Sequence, residues 1–359
     1  MKQEILRLMR MAPEAVSDAL FNDLALRLFR YQFENNAPYR RFSLSQKKEP
    51  TCVKSWEEIP FLPVKGFKFA EIACRPISET ARLFHSSGTT LQERSRHYLF
   101  DLDLSEAAIL PHFKRHLMPE GRKMRLAILI PSPEEAPHSS LSHMIGVVRS
   151  ACGTKESRYY IERGRLQSER LAYDLAEAKE PVSLLGTSFS FVHFIDFYRE
   201  RAFPVRLPEG SRLMDTGGFK GRSREVPRET LYGLYQNLLG LSPEYCVNEY
   251  GMAEMTSQFY DGVAGRPAPR VYNAPPQVRT RVLNPVTLEP APKGEAGLLA
   301  HLDLANIDSA AAILSEDIGR EAPGGFTLAG RASGADLKGC SLTLDDLLQK
   351  SALKGDEIP

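Results

Sequence analysis

The chain has few cysteines and no Cys-x-x-Cys pair; Cys52, Cys74, Cys152, Cys246 and Cys340 are scattered and odd in number. That pattern argues against a disulfide scaffold. It makes a reduced, cytoplasmic location the expectation, with thiols left available for chemistry. No apolar run approaches the roughly 20 residues that a membrane-spanning helix needs. The opening Met1-Lys2-Gln3-Glu4-Ile5 lacks the continuous apolar core of a signal peptide. Neither sign of charge dominates: the formal net charge is +1, so nothing draws the chain towards nucleic acid or a charged membrane surface. Internal repeats and low-complexity stretches are missing. So is the G-x-x-x-x-G-K-[ST] pattern of a P-loop.

What is present is ordinary globular composition. With 359 residues, 42% of them hydrophobic, the chain has room for one large α/β domain or two smaller ones. One stretch stands out: Phe84-His85-Ser86-Ser87-Gly88-Thr89-Thr90, with the basic sequel Arg94-Ser95-Arg96-His97. Small hydroxyl residues around a glycine let a loop close on phosphate oxygens, through backbone N–H groups and several hydroxyl donors at once. Gly88 permits the close approach that a side chain would forbid. Ser/Thr/Gly clusters also make plain turns, so this one gains its weight from the motifs downstream of it in the chain.

Apolar spacing over Val16, Leu20, Leu24 and Leu28 predicts an amphipathic helix from Glu14 to Phe33, ended by Asn35-Asn36-Ala37-Pro38 and followed by a less regular stretch. Prolines pin Ile59 to Val64 in extended form. Leu104–Met118 reads as a helix and Leu126–Ile130 as a buried parallel strand. Strand–turn–helix units then recur. Val182–Gly186 precedes a helix over Phe189–Tyr198 capped by Thr187 or Ser188, and Arg212–Met214 precedes a helix over Arg228–Leu239. Tyr245–Val247 opens onto Asn248-Glu249-Tyr250-Gly251-Met252-Ala253-Glu254. This is the pattern of a mostly parallel sheet flanked by helices, in which ligands sit beyond the carboxyl ends of strands. From about Arg270 the pattern turns to short alternating strands, Arg279–Leu283, Leu298–Leu302, Ser315–Arg320 and Leu328–Arg331, which read as a small antiparallel subdomain. The expected division is an α/β core over 1–270, a small β-rich part over 271–331, and a tail over 332–359 that carries Cys340.

The motifs at Ser86–Thr90, Tyr250–Glu254, Asp317 with Gly319-Arg320, and Gly330-Arg331 stand in the order used by adenylate-forming enzymes. Adding Ile59–Pro63, Asp215-Thr216-Gly217-Gly218-Phe219-Lys220-Gly221-Arg222-Ser223-Arg224 and Lys338–Leu342, nearly the whole chain resembles the acyl-protein synthetases of bacterial bioluminescence operons. The resemblance implies an adenylation core, and the C-terminal lid that usually follows it is expected to be absent or vestigial here. It also implies ATP-dependent activation of a carboxylic, typically fatty, acid to an acyl-adenylate, then transfer to a thiol. Ser86, Ser87, Gly88, Thr89 and Thr90 would cradle phosphates. Gly217, Gly218 and Phe219 would line the adenine slot, Tyr250 would stack on the base, and Asn248 and Gly251 would belong to the same cofactor site. Glu254 would hold Mg2+, a hard cation that wants carboxylate oxygen. Asp317 would receive the ribose hydroxyls, with Arg331 adding a cation there. His138, Phe189 and His193 are the candidates for the acyl pocket. An acyl reductase or acyl carrier is the expected partner.

Singly, each position has a plain structural reading: Tyr250 and Met252 as core, Glu254 as an acid at a helix N-terminus, Asp317 as a turn residue, and His138 and His193 as satisfied histidines. His112 and His116, four apart, have metal-ligand spacing without a third ligand and read as a solvated face. The chain departs from the superfamily pattern in three places. Leu91 and Gln92 follow the loop, so Arg94 or Arg96 would supply its cation; Ala253 stands where threonine is usual; and the tail after Arg331 is too short for a lid of roughly a hundred residues, the size of a small domain. That last point draws attention to Cys340, beside Lys338, as the acyl acceptor: a thiolate is the competent nucleophile and a neighbouring cation favours it. Packing of Cys340 against a last helix is the other reading. Two other functions share the motifs, an acid–CoA ligase resembling the phenylacetate type and a silent nucleotide-binding subunit.

Overall fold

The computed structural model describes residues 1–86, 94–201, 205–217 and 226–332. Helices α1 (Lys2–Leu8), α2 (Asp18–Asn35) and α3 (Ala37–Ser45) precede strand β1 (Leu62–Pro63) and helix α4 (Gly66–Phe69). A hairpin of β2 (Arg82–His85) and β3 (Arg96–Leu99) leads into α5 (Leu102–Leu117). Next come β4 (Arg125–Leu129), α6 (Ser140–Cys152), β5 (Arg158–Tyr159), β6 (Ile161–Glu162), β7 (Arg165–Leu166), α7 (Ser168–Ala176), β8 (Val182–Thr187) and α8 (Ser188–Arg201). They are followed by β9 (Arg212–Thr216), α9 (Arg228–Leu239), β10 (Cys246–Tyr250) and β11 (Phe259–Tyr260). Strands β12 (Val278–Leu283), β13 (Ala296–Asp303), β14 (Ala312–Ala322) and β15 (Gly325–Arg331) close the described chain.

The residues group into two compact units. One holds 109–251 and 258–273. It is built on a six-stranded sheet in the order β11-β10-β9-β8-β4-β5, parallel throughout except for β11. β4 and β8 carry apolar runs because both faces are covered, whereas β9 and β10 end in polar residues. Leu184, Leu213 and Cys246 face Leu171, Phe191 and Tyr235 of α7, α8 and α9. Their neighbours Leu185, Met214 and Val247 face Phe113 and Ile145 of α5 and α6. Two helix starts are capped by hydroxyls: Ser139 Oγ accepts from Ser142 N–H and, as the sequence suggests, Thr187 Oγ1 accepts from Ser190 N–H, each at 3.1 Å. Gly240, at φ +70°, ends α9 in the left-handed region that favours glycine.

The other unit holds 1–108, 252–257 and the described residues from Ala274. Its sheet runs β1-β14-β13-β12, with β15 on the far half of β14. β1 is parallel to β14 and the other pairs are antiparallel. The long helix starts at Asp18 rather than Glu14, because the Ser17 hydroxyl caps it through Leu20 N–H at 3.2 Å. Leu20 lies on its outer side; Phe21, Leu24 and Leu28 are the buried stripe. Gln32 continues that stripe as a buried polar residue, and its amide is satisfied by Asn306 O at 2.7 Å, Ile307 O at 2.9 Å and Ala311 N–H at 3.0 Å. The stretch after Asn35 is helical, not irregular. Asn36 ends α2 and caps α3, accepting from Tyr39 N–H at 3.1 Å, with Pro38 in the first turn where a missing N–H costs nothing.

Candidate functional site

In the first unit's sheet the chemistry gathers at the carboxyl ends of β9 and β10. Both strands run further than their apolar residues suggest, so Asp215 and Thr216, and Asn248 to Tyr250, are strand residues in parallel register, Asn248 opposite Asp215 and Glu249 opposite Thr216. Asn248 uses its whole amide internally. Its Nδ2 donates to Asp215 Oδ1 at 2.8 Å and Asp215 O at 3.2 Å. Its Oδ1 accepts from Tyr272 Oη at 2.6 Å and Arg228 at 3.2 Å. Arg228 also donates to the buried Asp261 at 3.1 Å, and Asp261 accepts from Asn248 N–H at 2.7 Å. Burial pushes Asp215 up to about 6, against the Asn248 hydrogen bond. Burial raises Asp261 as well, while Arg270 and the Asn248 N–H hold it down.

Glu249 lies on the opposite face of the same strand. The Thr216 hydroxyl donates to it, and burial raises its carboxyl to about 7. A Cβ built on Gly251 would sit 2.6 Å from Glu249 Oε1, so a larger residue there would make the carboxyl shift. Tyr250 is buried, its ring 5.7 Å from Phe259 and 5.8 Å from Tyr272. Gly217 is exposed at φ +72°, and its carbonyl accepts from Ser188 Oγ at 3.0 Å. His138 is exposed in a turn before α6. His193 is exposed on α8, its ring 4.4 Å from the half-buried Phe189, whereas Phe191 and Phe194 belong to the core.

His112 and His116 are not a solvated face. Both are buried beside Tyr260, donating to Asn273 O at 3.1 Å and Gly262 O at 2.6 Å. Burial drives both pKa values down, that of His116 to about 4, so the rings are neutral core donors. Spacing shows that two residues share a helix face; it does not show which face is covered.

In the second unit, Ser86 and Ser95 pair beyond the ends of β2 and β3. Ser95 N–H donates to Ser86 Oγ at 2.9 Å, and Ser86 N–H donates to Ser95 O at 3.3 Å. Ser95 Oγ in turn donates to the buried Glu254 carboxylate. His97 Nδ1 donates to Ala253 O at 2.8 Å, and Asn306 Nδ2 to Glu254 O at 2.8 Å. Glu254 therefore lies in a turn, not at a helix N-terminus. Arg96 faces Glu71 at 3.9 Å from β3, and Arg94 is half-buried just before Ser95. Asp317 is a strand residue rather than a turn residue. It stands opposite Arg331 in the β14–β15 register and accepts from Arg331 Nε at 3.2 Å. Glu254 offers the kind of ligand that Mg2+ takes, a hard anionic oxygen, and the Ser95 hydroxyl donates to it. Ser87, Gly88, Thr89, Thr90, Gly218, Phe219, Lys338 and Cys340 lie outside the described residues. Among the described residues no group of three or more His, Cys, Asp or Glu is arranged to hold a metal, and no helix is long and apolar enough to cross a membrane.

Sequence reading missed Ser95, His97, Asn306 and Glu249. Only the adjacency of Ser95 and His97 to the loop, and of Glu249 to Tyr250, pointed at them.

The long-chain-fatty-acid–luciferin-component ligase of Vibrio harveyi is 22% identical over 88% of this chain and 85% of its own. Among solved structures, 2-hydroxyisobutyryl-CoA ligase in the postadenylation state superposes with a TM-score of 0.67 at 17% identity, over 88% of this chain and 67% of that one. ATP-bound MatB from Rhodopseudomonas palustris gives 0.51 at 15% identity, over 72% and 49%. The fold is thus the one these ligases share. The family model of LuxE acyl-protein synthetases matches residues 11–349, and the chain belongs to that family of enzymes.

Proposed function

We propose that the protein activates a fatty or similar carboxylic acid with Mg-ATP and passes the acyl group to Cys340 or to a thiol of a partner reductase or carrier. The Vibrio harveyi relative, by its name a long-chain fatty acid ligase, supports a long acyl chain. The observation that carries the reading is Glu254: a buried carboxylate that accepts from Ser95, which pairs with Ser86.

In the first step a carboxylate oxygen of the acid attacks the α-phosphorus. The bond to the bridging oxygen breaks and pyrophosphate leaves with the electron pair, giving the acyl-adenylate. In the second, a thiolate sulfur attacks the acyl carbon, and AMP leaves with the pair of the broken C–O bond. Ser86 to Thr90 would hold the phosphates, Gly217 to Phe219 and Tyr250 the base, and Asp317 with Arg331 the ribose. Glu254 would hold Mg2+, which neutralises charge on the departing pyrophosphate. Phe189, His193 and His138 are assigned to the acyl end, and a cytoplasmic location fits the reduced thiols that this chemistry needs.

ATP–pyrophosphate exchange across a panel of acids tests the first step, and the intact mass after incubation with ATP and acid tests the second. Cys340→Ala should keep exchange and lose the covalent acyl group. No exchange with any acid removes the adenylation reading. Acylation that survives the substitution moves the nucleophile elsewhere, and acyl-CoA formation without a covalent intermediate selects CoA as acceptor.

A further inference from the structure

No hydroxyl stands beside Glu254 on its N-terminal side in sequence, where the residue is Ala253; the hydroxyl that reaches its carboxylate comes from Ser95, 159 positions away. We propose that Ser95 is a positioning residue, which orients the Glu254 carboxylate for the divalent cation of the nucleotide. The inference rests on the reading of Glu254 as the Mg2+ ligand and adds a residue to it.

Three observations carry it. First, Ser95 is fully buried and its backbone is pinned on both sides. Its N–H is held by Ser86 Oγ at 2.9 Å; its carbonyl accepts from Ser86 N–H and from His85 Nδ1, each at 3.3 Å. From that fixed backbone the hydroxyl points to Glu254 Oε1. Second, the Glu254 main chain is fixed independently. His97 holds the preceding carbonyl and Asn306 holds Glu254 O, each at 2.8 Å. The Asp303 carboxylate collects Thr256 N–H at 3.1 Å, Ser257 N–H at 2.8 Å and Ser257 Oγ at 2.9 Å. A fixed backbone leaves the side-chain torsions of Glu254 as the remaining freedom, and Ser95 acts on those. Third, the donor is neutral. The Ser95 hydroxyl aims the oxygen without adding a positive charge of its own.

Calorimetric titration of the full chain with ATP, in Mg2+ and in EDTA, and with AMP as a ligand that needs no bridging metal, tests the proposal. Ser95→Ala removes one oxygen from a buried site and should weaken Mg-ATP binding about tenfold, the size of one hydrogen bond to a charged group. Binding of AMP and of metal-free ATP should stay within about twofold, and Ser95→Thr, which keeps the hydroxyl, should restore Mg-ATP affinity. Wild-type Mg-ATP affinity in Ser95→Ala, or an equal loss with and without metal, overturns the proposal. Glu254→Gln separates the two layers. If it keeps the full Mg2+-dependent gain, the metal reading of Glu254 falls and the role of Ser95 with it. If it loses that gain while Ser95→Ala does not, only the role of Ser95 falls.

Discussion

Thr216 donates its hydroxyl proton to Glu249 where β9 and β10 end side by side, and nothing in the linear sequence joins these two residues. Burial raises the Glu249 carboxyl from 4.5 to about 7, the Thr216 bond opposing and the charge of Asp215 adding to the rise. The folded chain therefore keeps a proton that the unfolded chain releases, and stability falls as pH rises through that window. Glu249→Gln cannot ionise. Relative to that variant, the wild type should lose roughly 3 kcal/mol between the two pKa values and nothing further above the upper one. Urea unfolding of both proteins at several pH values measures the difference; a flat difference would mean that Glu249 ionises in the ordinary range.

The buried histidines act in the opposite direction. His112 lies well below its ordinary pKa and His116 at about 4, burial being the first cause for both. The unfolded chain binds these protons first as the solution is acidified, so stability is lost on going down from pH 6.5 towards pH 4, and the rings stay neutral until unfolding. NMR of the histidine ring protons should show at least four rings that do not titrate above pH 5, approximately one unit above the His116 value: His112 and His116, and with them His97 and His301, which burial lowers to about 4 and about 3. Zinc should leave the melting temperature unchanged. A zinc-induced rise would show that the pair binds metal after all.

Asn248 is the junction of a buried network that includes Asp215, Asp261, Arg228 and Tyr272. Asn248→Ala strips partners from a carboxylate, a guanidinium and a phenol together and should cost about 2–4 kcal/mol. Asn248→Asp puts a further carboxyl beside two others and should cost at least as much, increasingly so at higher pH. Denaturant midpoints decide this, and a loss under about 0.5 kcal/mol, the range of ordinary surface substitutions, would show that water replaces the amide without penalty.

The Asp317–Arg331 pair gives a contrast. The arginine side chain is 67% exposed, so Arg331→Ala should change stability by less than about 1 kcal/mol. If Asp317 receives the ribose, Asp317→Ala should raise KM for ATP about tenfold, the cost of lost hydrogen bonds to a charged acceptor, with the melting temperature nearly unchanged. An unaltered KM would place the ribose elsewhere.

Local patterns were legible because periodicity and capping act within a few residues. The α9 helix appears over Arg228–Leu239 as read, and β4 and β8 lie within a residue of the apolar runs that announced them. The order of motifs was legible too, and with it the family. Strand ends were read short at Asp215-Thr216 and Asn248–Tyr250, because polar residues in a strand tip look like a loop until their partners are known.

By itself, then, the sequence determined the main helices and apolar strands, the mostly parallel sheet and the set of chemical groups on hand. Only the tertiary structure decided which groups meet: Ser95 with Glu254, Thr216 with Glu249, and His112 and His116 inside rather than outside. The reason is physical. A hydrogen bond across 159 positions depends on how strands register and which faces are covered, and neither quantity is written in the spacing of residues along one segment.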